Sequence, residues 1–179
     1  DWASAVGYCD WLNAGFSAGL PSGFRFCLPS ECQWEYASRL SRGSTGAYCV
    51  ETEYSNGDGA SSLSAVGWYN GNSDGHTHRV GELVGTDFGL YDMHGNVYEW
   101  CRDAWASDAY RRYGWGALDP EIGAADVGQS ESGAPRVVRG GSWYFYSWNC
   151  RAAYRYYWNP VVRYRNRGFR VCACSGPRA

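Results

Sequence analysis

The stretch Phe88-Gly89-Leu90-Tyr91-Asp92-Met93-His94-Gly95-Asn96-Val97-Tyr98-Glu99-Trp100 sets two short apolar runs on either side of a turn signal, His94-Gly95-Asn96. Gly95 supplies backbone freedom where a side chain would block tight packing. Trp100, like Trp34 and Trp143, is a heavy apolar group suited to a core with little regular structure, each burying roughly 150–250 Å². Upstream, Gly43 to Asp87 is rich in Gly, Ser, Asn and Asp and predicts loops and short strands. Before that, Ser30 after Pro29, with Gln33 three residues on, makes a capping box and predicts a helix over Ser30 to Arg42. Its expected apolar stripe is Cys32, Tyr36 and Leu40, with Gly43 beyond its end. Trp2, Val6, Cys9 and Leu12 fall on one face of a first helix over Asp1 to Asn13, ended by Gly15. Downstream, Asp103 to Gly133 has loop composition. Arg136 to Trp143 and Gly168 to Ala173 read as strands bracketing an irregular, Pro-interrupted insertion.

The chain of 179 residues is of one-domain size, and neither a tandem repeat nor a dividing linker occurs within residues 1–179. Hydrophobic residues are 45% and charged residues 19%, and no apolar run reaches the length of a membrane span. All 16 basic residues are Arg, and 31 residues are aromatic (ten Trp, fifteen Tyr, six Phe). After Glu131 there is no Asp or Glu but there are nine Arg, so a net charge of −2 conceals a basic end. Eight cysteines are not spaced as zinc knuckles. In an exported protein they imply disulfides, and in a cytosolic one they are small buried hydrophobes.

Four stretches together resemble the formylglycine-generating-enzyme-like, sulfatase-modifying family, a branch of the C-type lectin fold. They are residues 28–37 (LPSECQWEYA), 88–100, Arg136-Val137-Val138-Arg139-Gly140-Gly141-Ser142-Trp143, and Gly168-Phe169-Arg170. The resemblance implies an α+β fold with two helices, short antiparallel strands and many loops, lacking the family's N-terminal strand region before Asp1. It narrows at the C-terminus. Arg139 to Trp143, then Cys150-Arg151-Ala152-Ala153, Arg155, Pro160, Arg163 and Gly168-Phe169-Arg170, resemble the framework of variable proteins of diversity-generating retroelements. In that group an adenine-directed mutator rewrites the positions between framework residues.

The implied ligand-binding segment runs from about 143 to 167. Its positions are Tyr144, Phe145, Tyr146, Trp148, Asn149, Tyr154, Tyr156, Tyr157, Trp158, Asn159, Val161, Val162, Tyr164 and Asn166. Tyr, Phe, Ser, Asn and Val are all reachable from an AAC codon through its adenines. Trp148 and Trp158 need another template codon, such as AGG or AAG. The aromatics follow neither helical nor alternating period, so many of them are expected at the surface rather than in the core. Tyr and Trp offer large rigid contact area with few rotors to freeze, the chemistry of a paratope. The expected partner is a protein or surface ligand, and the expected location is extracellular or at the cell surface.

Two other functions compete with display. Interleaved Arg and aromatics also suit nucleic acid or anionic glycan, yet Arg139, Arg151, Arg155 and Arg170 coincide with framework positions and the rest of the chain is acidic. The family's oxidases use a copper-binding cysteine pair five residues apart after the Arg-Gly-Gly-Ser stretch. Here Cys150 follows Ser142 and the next are Cys172 and Cys174, so that pair is unmatched, no catalytic residue is expected and no cofactor is required. The related sulfoxide synthases use a His-containing iron site, against which only His76, His78 and His94 are available. A loop reading of His76 and His78 is preferred to a shared metal. The resemblance also allows a structural calcium at Asn96 and Glu99, an ion that is not required.

Overall fold

A computed structural model describes residues 1–39, 60–113, 117 and 119–175. Helix α1 spans Trp2–Phe16, one turn past Asn13, with the Asp1 carboxylate accepting from the Ser4 amide as its N-cap. Its inward face is Trp2, Ala5, Val6 and Cys9, which pack with Leu28, Tyr98, Trp100 and Val138. Strand β1 (Phe24–Cys27) leads to helix α2, Glu31–Ser38, which starts at the Ser30–Gln33 capping box read from the sequence. The expected stripe on α2 is wrong, because Tyr36 is exposed and the buried positions are Glu31, Trp34 and Ser38. A buried ion pair on this helix displaces the apolar residues. Leu40 to Gly43 lie outside the described residues.

The stretch read as loops and short strands holds a third helix, α3, over Ala60–Val66, which buries Leu63 and Val66 against Tyr69 and Cys150. It leads into β2 (Gly67–Trp68), which pairs in parallel with β3 (His94–Gly95). This pairing explains Gly95: its φ is +83°, and a Cβ there would sit 2.1 Å from the Trp68 carbonyl oxygen.

Strand β4, Tyr98–Ala104, is almost wholly buried and forms the centre of the fold. Tyr98 and Trp100 join the α1 side of the core, while Cys101 packs with Trp34, Met93 and Val137. A short helix, α4 (Ala109–Arg112), sits in the following loop region. Strand β5 covers Arg136–Arg139 and stops four residues short of Trp143. Strand β6 is Tyr156–Trp158, β7 Arg167–Gly168 and β8 Cys172–Ser175. The expected single strand from Gly168 to Ala173 is therefore two strands in different sheets: β7 in the order β6-β5-β4-β7, β8 beside β1. Arg170, turned toward Glu99, lies at the break.

Candidate ligand-binding face

The segment from Trp143 to Arg167 crosses one side of the four-stranded sheet, and its side chains alternate between anchoring and display. Trp143, Ser147, Asn149, Cys150 and Ala152 are buried. Tyr144, Tyr146 and Trp148 between them are 62%, 55% and 48% exposed. A 3-10 turn over Ser147–Cys150 produces the switch, with the Asn149 amide donating to the Tyr146 carbonyl at 3.0 Å. Gly141, at φ +74°, makes room for it, since a Cβ there would meet Cys150 Sγ at 2.5 Å.

Anchors from the body of the domain hold the segment. His94 Nδ1 lies 2.8 Å from the Cys150 carbonyl and so carries the proton in that bond. Burial drives its pKa down to about 4, keeping it neutral. Arg139, fully buried, donates to the Ala152 carbonyl and to Glu31 Oε1 at 2.6 Å. Arg155 donates from Nε and Nη2 to the two Glu31 oxygens at 2.6 and 2.7 Å. The framework arginines Arg139 and Arg155 thus have carboxylate and carbonyl partners.

Strand β6 pairs with β5 in the register Val138↔Tyr156, Val137↔Tyr157 and Arg136↔Trp158. Being an edge strand, it leaves Tyr156 and Tyr157 exposed while Trp158 packs against the core. The rings of β6 and its neighbours form a connected surface. Tyr156 lies 5.7 Å from Tyr157, and Tyr157 stacks on Trp105 at 4.7 Å. Tyr146 and Trp148 make a separate stack at 4.4 Å and 17°. Arg167 lies over both Trp158 and Tyr164, at 3.5 and 4.4 Å. Asn159, Val161 and Tyr164 are exposed, and Val162 lines a cleft of about 470 Å³ with Asp1, Tyr8 and Arg163.

Not every position in the expected set faces solvent. Asn149 and Asn166 are buried, and the Asn166 carbonyl accepts from the Tyr98 amide at 3.0 Å. Phe145 and Trp158 are half-buried against the α1 core, and Tyr154 is half-buried. Phe169, read as framework, is exposed at the rim and meets Tyr8 edge-on at 5.6 Å. Conversely, Trp105 and exposed Tyr110 border the face from the 103–133 loop, bracketing the Arg155 guanidinium at 4.6 and 5.1 Å. Nothing in their own sequence neighbourhood points to this.

The residues suggested for ions are otherwise engaged. Both Glu99 oxygens accept from Arg170, at 2.6 and 2.7 Å, and Oε2 also accepts from Trp34 Nε1. The Asn96 side chain closes on the His78 backbone, Oδ1 accepting from the His78 amide at 3.1 Å and Nδ2 donating to the His78 carbonyl at 3.2 Å. These residues do not fit a calcium site, because the arginine supplies the positive charge. His76 and His78 stack face to face at 4.6 Å, with His78 in turn against Trp68 at 3.7 Å, so the rings do not converge on a point as metal ligands would. Cys150 is fully buried, and burial raises its thiol to about 12. No helix among the described residues is long and apolar enough to cross a membrane.

Comparison with known proteins agrees with this geometry. The fold resembles that of Treponema denticola variable protein 1, with TM-score 0.63 and 34% identity, covering 85% of this chain and 48% of that one. It also resembles PvdO from Pseudomonas aeruginosa, with TM-score 0.71 and 29% identity over 96% of this chain and 59% of that one. Among curated proteins, the serine/threonine-protein kinase Pkn1 of Chlamydia trachomatis is 34% identical over 96% of this chain and 23% of its own length. The formylglycine-generating enzyme of Thermomonospora curvata is 28% identical over 96% of this chain and 53% of its own. The chain thus spans from about a quarter to about half of these curated relatives. The Sulfatase-modifying factor enzyme 1-like domain matches residues 1–174, and the chain belongs to that family, with its C-type-lectin-like fold.

Proposed function

We propose that this protein is a ligand-binding display domain, in which exposed residues between Tyr144 and Tyr164 recognise a protein or surface ligand that differs between diversified copies. One observation carries the reading: alternate residues of a single segment are pinned by buried partners while the aromatic rings between them stand open to solvent. Rigid aromatic contact area costs little conformational entropy on binding, and a few such anchors supply most of an interface's affinity. Likeness to a protein named for its variability supports the same reading. No catalytic role is assigned. The one cysteine shortly after Ser142, Cys150, is buried with its thiol held protonated, whereas copper chemistry needs paired thiolates. An extracellular or cell-surface location suits such a role.

Sequencing the coding region across many independently grown lineages tests the proposal. Substitutions should concentrate at Tyr144, Tyr146, Trp148, Tyr156, Tyr157, Val161 and Tyr164 and spare Arg139, Trp143 and Arg155. Substitutions spread evenly over the chain would overturn it.

A further inference from the structure

Away from the aromatic face, three sulfur atoms from two ends of the chain meet beneath α1. Cys27 ends β1 and stands opposite Cys172 of β8 in the antiparallel pairing. Cys174, two residues on, emerges on the same face of β8 as Cys172. Cys27 and Cys174 are joined as a disulfide, with Cα atoms 6.2 Å apart. The Cys172 sulfur lies 3.3 Å from that of Cys174 and 3.5 Å from that of Cys27. Cys27 and Cys174 are buried and Cys172 half-buried, and all three ligand atoms fall within 4.8 Å of one another.

A free thiol beside a disulfide suggests exchange, but exchange needs approach along the sulfur–sulfur axis. Cys172 instead stands broadside, nearly equidistant from both atoms. A triangle of sulfurs is the arrangement that a three-coordinate thiophilic cation requires. With metal–sulfur bonds of about 2.3 Å, trigonal geometry separates the sulfurs by about 4 Å. The three ligand atoms already lie within a range that small rotamer shifts convert to that triangle. The trio includes neither His nor carboxylate, which disfavours harder ions and favours soft ones.

We infer that Cys27, Cys172 and Cys174 form, once the disulfide is reduced, a three-thiolate site for a soft, closed-shell monovalent cation. Reduction by a dithiol or phosphine delivers two electrons to the Cys27–Cys174 bond. A dithiol also supplies the two protons and leaves as a disulfide, whereas a phosphine takes its oxygen from water, whose two protons go to the thiols, and leaves as phosphine oxide. The cation then displaces the three thiol protons to solvent and makes three metal–sulfur bonds, with no further change in oxidation state. Zinc, which in structural sites takes four ligands, fits this trio less well.

The site is tested on the whole chain, reduced anaerobically with a phosphine and titrated with Cu(I) against a competing Cu(I) chelator. One equivalent should be retained per chain, with a thiolate-to-copper charge-transfer band in the near ultraviolet. Cys172→Ser should weaken retention at least tenfold, and because Cys172 takes no part in the disulfide, its circular dichroism should match the parent. If that variant does not fold, Cys174→Ser is read in its place. Cys32→Ser, elsewhere in the fold, should bind as the parent does. A disulfide that resists reduction in the folded chain, a reduced chain that retains no copper, or retention unchanged in the Cys172 or Cys174 variant would overturn the site.

Discussion

Arg155 grips Glu31 with two parallel hydrogen bonds, Nε to Oε1 at 2.6 Å and Nη2 to Oε2 at 2.7 Å, across 124 residues of sequence. Arg155 sits between Tyr154 and Tyr156, and Glu31 opens α2, so this pair fastens the aromatic segment to the body. Glu31 is fully buried and also neutralises buried Arg139. Glu31→Gln leaves two guanidinium groups short of a charge and should lower stability by about 3–5 kcal/mol. Urea unfolding of the two proteins at neutral pH measures it. A loss under 1 kcal/mol would mean that the cluster does not hold the segment.

Two glycine-to-alanine changes should move stability in opposite directions. At Gly95 a Cβ collides with the Trp68 carbonyl oxygen and φ is positive, so Gly95→Ala should cost about 2–4 kcal/mol. At Gly7, inside α1 with open space around it, Gly7→Ala should stabilise by about 0.5–1 kcal/mol. Thermal unfolding midpoints of both variants decide whether the β2–β3 pairing is as tight as described.

The parts of this fold legible in the sequence are those set by short-range chemistry. The Ser30–Gln33 box and the 3.6-residue spacing of α1 are local, and both helices start where they are expected, although α1 runs on to Phe16 and α2 ends at Ser38 rather than Arg42. The buried face of α2 was not legible, because what fills it is charge matched by Arg139 and Arg155 from over a hundred residues away. Helix α3 was missed since its weak composition is redeemed only by burial of Leu63 and Val66. At the candidate face, it was the resemblance to variable proteins that separated framework arginines from displayed rings. Asn149 and Asn166 share the residue type expected at variable positions, and only tertiary packing reveals that both are buried.

His94 makes stability fall in acid. Its folded pKa, about 4, lies below the ordinary value of 6.5, so between these limits the unfolded chain binds more protons. Its contribution is complete above pH 6.5 and is lost as pH falls toward 4. Asp103, raised to about 6 by burial, acts oppositely over part of that window, so the effect is read by difference. The stability gap between the parent and His94→Asn should narrow from pH 7 to pH 4.5. A constant gap would contradict a buried neutral imidazole.

Supplied with copper and a cysteine-containing sulfatase peptide, the purified chain should show no formylglycine formation, and Cys150→Ser should change nothing in that assay. Mass spectrometry of the peptide is the measurement. Turnover that disappears in Cys150→Ser would make Cys150 a catalytic residue.

The central claim is that the exposed rings are free to vary while their buried neighbours are not. Two display libraries test it most directly, selected in parallel on one immobilised unrelated protein, lysozyme. The first randomises Tyr144, Tyr146, Trp148, Tyr156, Tyr157 and Tyr164, and the second randomises Trp143, Asn149, Ala152 and Asn166. Exposed substitutions typically change stability by no more than about 0.5 kcal/mol each, whereas truncating a buried Trp costs about 3–5 kcal/mol. The first library should therefore yield folded chains that bind lysozyme, and the second few folded chains and no binders. Equal survival of the two libraries, or collapse of the first, would contradict the account.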